Sequence, residues 1–328
     1  MIYCINPECE QRENSAAAQN YLACGTPLLI ADRYRILKPV RSPNPARPTD
    51  IFEVEDLGTG ENEWGTIKVL KVLKHSHNPD SVRLFQQEAR VLIWLAGRGE
   101  VPQVEPDGYF AIKLLNNSQK LSCLVMEKIS GENLAEFLAK NQYVSQKLAF
   151  DWLQQMLYIL QKIHKYHLVH RDIKPSNLMI EADGKLRLID FGAATEAGID
   201  TTPIGSAGYC APEQVAGKAE VRSSSRAFLP FGNAFGERIA SLTLTDFFAL
   251  GRTFVHLLTG LQPIDFPVTA AKTGKLNWRN QAVDVDELFV SSIDELMEPL
   301  PENRPENTQV ILEKLTNIEL LITGAEPK

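Results

Sequence analysis

One short segment constrains the fold of this chain more than any other feature. Residues 170–177 read His-Arg-Asp-Ile-Lys-Pro-Ser-Asn, and Asp-Phe-Gly follows at residues 190–192. Between them, apolar runs at 178–180 and 186–189 flank Glu-Ala-Asp-Gly at 181–184. Because Asp-Gly between two apolar runs is a hairpin signal, we predict two paired strands here. The hairpin brings the acidic residues before and after it to one edge of a small ribbon.

The side chains at that edge suit the transfer of a phosphoryl group. Asp172 offers a carboxylate as a base, Lys174 offers a cation and Asn177 offers an amide oxygen. Asp190 offers a second carboxylate, which suits a metal ion. These four residues are therefore the candidate catalytic centre.

The two segments also resemble known motifs. Residues 170–177 resemble the catalytic loop of eukaryotic-like bacterial Ser/Thr protein kinases, and residues 190–192 resemble the metal-binding motif of that family. The resemblance extends over residues 31–322 and implies an α+β, bilobal protein-kinase fold. A small β-rich N-lobe with a C helix is expected at 31–129. A larger, mainly helical C-lobe is expected at 130–322, followed by a tail at 323–328.

The resemblance also implies a role for each residue of the candidate centre. Asp172 would accept the proton of a Ser or Thr hydroxyl on a protein substrate, and Lys174 would steady the γ-phosphate of ATP. Asn177 and Asp190 would hold Mg2+, with Mn2+ as an alternative. ATP and a divalent cation are therefore the expected cofactors.

A nucleotide-binding lysine is expected on the strand predicted at residues 65–73. Lys68 and Lys71 are both candidates. We choose Lys71 because Val-Leu-Lys fits the family pattern better, which leaves Lys68 as an exposed lysine. On the following helix, which Asn-Pro-Asp opens at 78–80, Glu88 stands where the family places the ion-pair partner of that lysine.

The strand at residues 121–129 resembles the hinge that joins the two lobes of a kinase. Met126 would be the gatekeeper beside the adenine. The backbone groups of Glu127 and Ile129 would bind the adenine edge, an arrangement that requires no particular side chains.

The turn that covers the nucleotide departs from the family pattern. Between strands predicted at 34–40 and 51–56, residues 41–48 contain three prolines and no glycine. Proline has no N–H, so a close backbone cradle for phosphates is weakened. Arg41 or Arg47 either replaces the missing amides with a guanidinium or is a solvated loop residue.

Three of the five cysteines fall within the first 24 residues. Cys4, Cys9 and Cys24 resemble a miniature zinc ribbon covering residues 1–28, but Tyr21 stands where a fourth cysteine is expected. Structural zinc needs four donors. The segment is therefore either a vestigial knuckle held by packing or a weak Zn2+ site with a borrowed ligand. A role as a nucleic-acid ribbon is less favoured, because the segment is short and incomplete.

The segment that ends in Ala-Pro-Glu at 211–213 has the length of an activation segment that positions a protein substrate. Arg171 would pair with Thr201 or Thr202 after phosphorylation of either threonine. An insertion at about 216–244 then delays the next helix. That insertion is either a surface loop or a docking site for a partner.

Two structural roles complete the resemblance. Asp246, just before an apolar helix predicted at 247–258, would anchor the catalytic loop from below. Arg304 would form an ion pair with Glu213.

Composition excludes several classes of protein. The formal charge is 34 minus 41, or −7, so no global excess of cations exists to neutralise nucleic-acid phosphates. No run of 18 apolar residues predicts a transmembrane helix, and the first residues lack a signal-peptide pattern. We expect a soluble cytoplasmic protein that acts on other proteins.

The retained charged residues predict a protein serine/threonine kinase with a weakened nucleotide lid. The missing glycines leave an alternative, a pseudokinase that serves as a nucleotide-binding or protein-interaction scaffold. Substrate identity, upstream signal and oligomeric state depend on surface shape, which no motif encodes.

Overall fold

The computed structural model describes residues 2–14, 20–21, 23–58, 65–74, 77–114, 120–196, 205–215, 234–266 and 275–323, with backbone alone at 234–242 and 323. The chain divides into two compact units. The first unit contains Met1–Gly97 and Val101–Ile129, and the second contains Arg98–Glu100 and Ser130–Lys328. Within the second unit, Glu100 pairs with Lys162 at 2.6 Å.

The first unit is a twisted antiparallel sheet with one long helix. Its elements are, in chain order, β1 (Ile2–Tyr3), β2 (Glu13–Asn14), β3 (Leu29–Ile30), β4 (Tyr34–Pro39), β5 (Thr49–Asp56), β6 (Thr66–Leu73), α1 (Pro79–Leu95), β7 (Tyr109–Lys113) and β8 (Lys120–Glu127). The main sheet has the order β3-β4-β5-β6-β8-β7, and β1 pairs with β2 alone.

Local sequence explains these elements. Strand β5 alternates between half-buried and buried residues, with Phe52 and Val54 on its buried face, as expected for a strand of period two. Helix α1 begins where Asn78 accepts hydrogen bonds from the backbone of Asp80 and Ser81, and proline occupies its first turn. This N-cap satisfies backbone donors that a helix start otherwise leaves without partners.

The N-terminal cysteine segment packs on the main sheet. Ile5 joins one buried cluster with Ile30, Phe52, Leu70 and Val125 of the sheet. Arg12 lies over the Phe52 ring at 5.6 Å, and its guanidinium also pairs with Asp50 of β5 at 3.3 Å. The segment therefore covers one face of the sheet and belongs to the first unit.

The second unit is mainly helical. Its strands are β9 (Glu132–Asn133), β10 (Leu168–Val169), β11 (Leu178–Ile180), β12 (Leu186–Leu188) and β13 (Thr195–Glu196). Its α-helices are α2 (Leu134–Asn141), α3 (Gln146–Lys165), α4 (Pro212–Val215), α5 (Ala234–Thr259), α6 (Glu287–Leu296) and α7 (Thr308–Thr323). Short 3-10 turns lie at Pro175–Asn177, Phe191–Ala193, Pro263–Asp265, Arg279–Gln281 and Pro301–Asn303.

Helix α5 is longer than its apolar pattern predicted. The all-round apolar stretch indicated a helix at 247–258, whereas the helix begins at Ala234. The extra turns contain Glu237 and Arg238, good helix formers that a search for apolar residues misses. The last third of the predicted insertion is therefore helical backbone, and residues 216–233 lie outside the described residues.

None of the helices in the described part of the chain is both long enough and apolar enough to cross a bilayer.

Candidate active site

The predicted hairpin after the catalytic loop is present. Strands β11 and β12 pair antiparallel, with Leu178 opposite Leu188 and Ile180 opposite Leu186. Gly184 in the turn has φ +83°, a conformation that favours glycine. Strand β9 adds to the other edge of β11, so the ribbon has three strands.

Asp246 anchors the backbone of the catalytic loop. Its side chain is fully buried, and its Oδ2 accepts hydrogen bonds from His170 N at 3.0 Å and His164 Nε2 at 2.9 Å. Its Oδ1 accepts from Arg171 N at 2.8 Å. Burial alone would raise the pKa of Asp246, but the hydrogen bond from His164 and the nearby charges outweigh it and lower the pKa. The carboxylate is therefore ionised and holds two successive amides, as predicted.

His170 links the catalytic loop to the Asp-Phe-Gly motif. Its ring packs edge-on against Phe191 with centroids 4.8 Å apart. Its Nδ1 accepts a hydrogen bond from Asp172 N, and its Nε2 lies 3.3 Å from the carbonyl oxygen of Ile189. Burial lowers the pKa of His170. The imidazole is thus neutral near pH 7 with its proton on Nε2, because Nδ1 is the acceptor.

Three side chains hold the carboxylate of Asp172. Its Oδ2 accepts hydrogen bonds from Lys174 Nζ at 2.7 Å and Asn177 Nδ2 at 3.1 Å. Its Oδ1 accepts one from Ser206 Oγ at 2.7 Å. Ser206 Oγ also lies 2.5 Å from Lys174 Nζ, so the four groups form a closed network. Ser206 lies in the segment that ends in Ala-Pro-Glu, and the sequence motifs did not reveal this contact.

Asn177 and Asp190 offer oxygen atoms of the kind that magnesium prefers. Because Asn177 Nδ2 donates to Asp172, its Oδ1 is the atom that remains for a cation. Asp190 is exposed and has φ +62°, an unusual conformation for a residue other than glycine. Ile189 N donates a hydrogen bond to the carbonyl oxygen of Asn177 at 2.9 Å, which links the segments that carry Asn177 and Asp190. The donor chemistry fits Mg2+.

Arg171 is buried within the second unit. Its Nε donates to the carbonyl oxygen of Ala193 at 2.7 Å, and its backbone has φ +64°. Its pairing with a phosphorylated threonine stays a prediction. The proposed phosphorylation sites Thr201 and Thr202 lie outside the described residues.

The predicted ion pair between Arg304 and Glu213, which are far apart in sequence, is present. Arg304 has a side chain with 0% exposure and binds Glu213 through two parallel contacts, 2.6 Å from Nη1 to Oε1 and 3.0 Å from Nη2 to Oε2. Such fork-to-fork pairing fixes geometry as well as charge. It ties the end of the activation segment to the 3-10 turn before α7.

In the first unit, Lys71 and Glu88 form the predicted ion pair. Lys71 Nζ lies 2.7 Å from Glu88 Oε1 and 2.8 Å from Oε2, and both residues are buried. Lys71 lies opposite Leu124 of β8 and Ile51 of β5, in the middle of the sheet. The lysine is therefore held by one strand and the glutamate by helix α1.

Lys68 is not the exposed lysine that was predicted. Its side chain is 16% exposed and its Nζ lies 2.8 Å from Asp56 Oδ2, with a further ion pair to Glu105. Arg33 binds both oxygens of Asp56 from the other side, at 2.6 and 2.8 Å. Lys68 lies three residues before Lys71, an odd spacing that places the two side chains on opposite faces of β6. The partners on that face come from distant segments, which the sequence pattern did not reveal.

The predicted adenine-binding residues lie at the end of β8. Met126 pairs with Val69 of β6 in the antiparallel ladder. Glu127 is held by Gln103, which donates from its backbone N to Glu127 Oε2 at 3.0 Å and accepts from Glu127 N at 2.8 Å. Ile129 is buried. These contacts fix the backbone of the segment within the first unit.

Backbone amides of the loop at residues 41–48 donate hydrogen bonds within the loop itself. Ala46 N donates to Asn44 Oδ1 at 2.9 Å, and Arg47 N donates to the carbonyl oxygen of Asn44 at 3.1 Å. Lys74 Nζ donates to the same Asn44 carbonyl oxygen at 2.7 Å. Arg41 Nη2 contacts the carbonyl oxygen of Thr49 at 3.3 Å. Two backbone amides of this loop are thus already hydrogen-bonded within the turn. At three further positions proline has no N–H to donate.

Cys4, Cys9 and Cys24 come together in the folded segment. Their sulfur atoms all lie within 4.8 Å of one another. Cys4 Sγ and Cys24 Sγ are 3.5 Å apart. A shared metal site is therefore geometrically feasible.

Comparison with known proteins decides the family. The protein kinase domain family matches residues 66–319, more than three quarters of the chain. The chain belongs to that family. The sheet-based unit and the helical unit are accordingly the small and large lobes of the α+β, bilobal kinase fold, which confirms the predicted fold class.

Several bacterial kinases are similar to this kinase chain. Serine/threonine-protein kinase B of Synechocystis sp. is 28% identical over 96% of this chain and 52% of its own length. Serine/threonine-protein kinase F of the same organism is 32% identical over 71% of this chain and 44% of its own length. PknA of Mycobacterium tuberculosis is 34% identical over 48% of this chain and 37% of its own length. The chain spans about half the length of the curated relatives B and D of Synechocystis sp. and PknA of Nostoc sp..

Proposed function

We propose that the chain is an ATP-dependent protein serine/threonine kinase, which transfers the γ-phosphate of ATP to Ser and Thr hydroxyls of proteins. The observation that carries the proposal is the carboxylate of Asp172, held by Lys174, Asn177 and Ser206. A scaffold without turnover has no need of this network around a single carboxylate. The relatives are named Ser/Thr protein kinases, which supports the same class of reaction. We assign the kinase domain to residues 31–322.

In this proposal Asp172 orients the acceptor hydroxyl and receives its proton. Oδ2 accepts hydrogen bonds from both Lys174 and Asn177, whereas Oδ1 accepts one, from Ser206, so Oδ1 is the oxygen that would receive the substrate proton. Hydrogen bonds from fixed donors hold the carboxylate in one orientation and limit reorganisation during proton transfer. Lys174 supplies positive charge beside the transferred group. By the family resemblance, a lysine at the position of Lys174 indicates a kinase that prefers Ser and Thr acceptors over Tyr.

Asn177 and Asp190 would hold the magnesium ion, through Asn177 Oδ1 and the Asp190 carboxylate. A bound divalent ion neutralises charge that builds on the phosphates during transfer. Lys71, oriented by Glu88, would bind the α- and β-phosphates. Met126, with the backbone of Glu127 and Ile129, would border the adenine.

A weakened nucleotide lid is part of the proposal. Amides that are absent or committed to the turn at 41–48 cannot donate to phosphate oxygens, and each such charge-assisted bond is worth about 1.5–3 kcal/mol. One bond fewer lowers nucleotide affinity or rate by about one to two powers of ten. We therefore expect a slow enzyme with a high KM for ATP.

Protein substrates with Ser or Thr acceptors are the proposed partners. Docking of a partner at the insertion 216–244, and ordering of the activation segment by phosphorylation of Thr201 or Thr202, are further proposals that rest on sequence. Three thiols fall short of the four donors of a structural zinc ribbon, so a Zn2+ site at Cys4, Cys9 and Cys24 is proposed as weak at most.

Transfer of labelled γ-phosphate to a generic basic protein tests the kinase proposal. We expect Mg2+-dependent transfer by the unaltered chain and a loss of about 100-fold or more in Asp172→Asn, which keeps the shape but not the base. Asp183→Asn is the matched control, because Asp183 lies in the exposed turn of the same ribbon. Nucleotide binding without transfer by the unaltered chain would instead identify a pseudokinase scaffold.

A further inference from the structure

The three cysteines of the N-terminal segment form a cluster that kinase activity does not use. Cys4 is fully buried, Cys9 is 7% exposed and Cys24 is partly exposed. Tetrahedral zinc thiolate sites, with metal–sulfur bonds of about 2.3 Å, place sulfur atoms about 3.8 Å apart. The 3.5 Å between Cys4 Sγ and Cys24 Sγ is therefore a distance at which one ion can bridge both.

A fourth donor of the usual kind is missing from this cluster. Among the residues that the structure describes, the group consists of three thiols, with no His, Asp or Glu. Tyr21 takes the position that would complete it: it packs among the cysteines with 1% exposure. Gly25 N donates to the Tyr21 carbonyl oxygen at 2.8 Å, which closes the turn that leads to Cys24.

The phenol of Tyr21 is not available as a substitute ligand. Its hydroxyl donates to the carbonyl oxygen of Tyr3. The side chain at the position of the missing cysteine is thus an aromatic ring that packs against the cysteines and whose hydroxyl is bonded elsewhere.

Polar groups lie close to two of the sulfur atoms. Thr26 Oγ1 lies 3.1 Å from Cys24 Sγ, and the carbonyl oxygen of Gln11 lies 3.2 Å from Cys9 Sγ. Each oxygen accepts a hydrogen bond from a thiol. Because metal binding requires thiolates, the thiols release their protons when a cation binds.

We propose that Cys4, Cys9 and Cys24 form a three-thiolate site for Cu(I), and that Tyr21 disfavours zinc by occupying the fourth ligand position of a tetrahedral zinc site. Soft thiolate ligands select Cu(I), which is stable with three sulfur neighbours, whereas structural zinc requires four donors. Binding converts three thiols into thiolates around one Cu(I) and releases three protons. No electron is transferred, and the site does not depend on the kinase reaction.

Competition against chelators tests the site in the unaltered chain. The reduced protein is titrated without oxygen with Cu(I) in the presence of a Cu(I)-specific chelator, and separately with Zn2+ in the presence of a zinc chelator. We expect one Cu(I) per chain, with three sulfur neighbours in X-ray absorption, and no retained zinc. Zinc held as firmly as Cu(I), or two sulfur neighbours around copper, would overturn the proposal.

Substitutions assign the site to these residues. Cys9→Ser should lower Cu(I) affinity by about 10- to 100-fold. Cys123→Ala, which removes a buried cysteine of the sheet outside the cluster, should leave it unchanged. Equal Cu(I) affinity in Cys9→Ser and the unaltered chain would count against the site, and circular dichroism checks that each variant is folded.

Tyr21→Cys provides a gain of function. A cysteine at this position completes four thiolates, so zinc affinity should rise by about 100-fold or more. Failure of this variant to gain zinc affinity would show that Tyr21 does not occupy the fourth ligand position. The proposed selectivity for Cu(I) over zinc would then be wrong.

Discussion

Asp172 accepts hydrogen bonds from three side chains that lie up to 34 residues away from it in sequence. Ser206 is the most distant of them, and it touches both Asp172 and Lys174. Since its hydroxyl fixes two charged groups at once, we regard Ser206 as a positioning residue.

In the proposed mechanism the Ser206 hydroxyl orients Asp172, the base, and does not contact the nucleotide. Ser206→Ala should therefore lower kcat by about 10-fold and leave the KM for ATP unchanged. Steady-state phosphoryl transfer, measured at varied ATP, separates the two constants. Ser206→Thr retains the hydroxyl and should retain most of the activity. A threonine variant as slow as the alanine variant would contradict the assignment.

Asp56 offers a second prediction at the scale of a residue. Burial alone would raise its pKa, but hydrogen bonds from Arg33 and Lys68 outweigh it and lower the pKa to about 2. An unfolded aspartate has a pKa of about 3.9, so this carboxylate stabilises the fold fully above pH about 4. As pH falls from about 4 to 2, about 2–3 kcal/mol of that stability is lost.

Asp56→Asn should cost about 3 kcal/mol in urea unfolding at pH 7, because it leaves Arg33 and Lys68 buried without their shared carboxylate. It should also flatten the acid dependence of stability between pH about 4 and 2, the range in which the unaltered carboxylate loses its contribution. Glu55→Gln is the matched control. Its partner Arg35 is 40% exposed, and such pairs contribute under about 1 kcal/mol. Equal losses in the two variants would show that burial of the Asp56 network does not matter.

At the scale of elements, local signals predicted most of the architecture. The Asp-Gly turn gave the hairpin of β11 and β12, and Asn78 before a proline gave the start of α1. These features depend on neighbours in sequence, where propensity and capping act directly. Strand β7, which pairs with β8, and helix α6 were not predicted. Strand β7 has little apolar alternation, with residues that are half-buried or exposed, so its pairing is set by the neighbouring strand.

The site was predictable only in part for a related reason. Order along the chain identified Asp172, Asp190, Lys71 and Glu88 as candidates. The contact of Ser206 with Asp172 depends on how the activation segment returns, and the Lys68 network depends on which face of β6 meets distant acids. Neither is encoded in a window of neighbouring residues.

Close approach of strand segments gives a prediction at the scale of elements. A Cβ atom on Gly131 would lie 2.0 Å from the carbonyl oxygen of Ile180, and its φ is +128°. Gly131→Ala should therefore destabilise the second unit by about 3 kcal/mol, through both steric overlap and backbone strain. Urea unfolding measures the loss.

Gly184→Ala separates the two causes. Gly184 also has positive φ, at +83°, but a Cβ atom there would meet nothing within 4 Å. Its expected cost is backbone strain alone, about 1 kcal/mol. Comparable costs for the two variants would mean that the overlap at Ile180 is relieved cheaply.

At the scale of the whole molecule, the N-terminal segment is part of the first unit's core. Ile5 is 1% exposed and packs in the cluster that contains Phe52, Leu70 and Val125. Ile5→Ala should cost about 2–4 kcal/mol, because it leaves a cavity in that cluster. Val40→Ala, at a residue that is 54% exposed, should change stability by less than about 0.5 kcal/mol.

A chain that begins at residue 29 should bind the dye ANS and be cleaved by proteases in the first unit, since an apolar sheet face becomes exposed. The full chain should do neither. A shortened chain that resists protease as well as the full chain would show that the segment is an independent appendage.

The covered sheet face has a practical consequence. The family match begins at residue 66, whereas the buried cluster of the sheet reaches back to Ile5. The part of the chain that matches the family is thus shorter than the part that packs into the hydrophobic core of the sheet. An expression boundary drawn at the edge of the family match would divide a single hydrophobic core, and loss of activity in the resulting fragment would say nothing about catalysis.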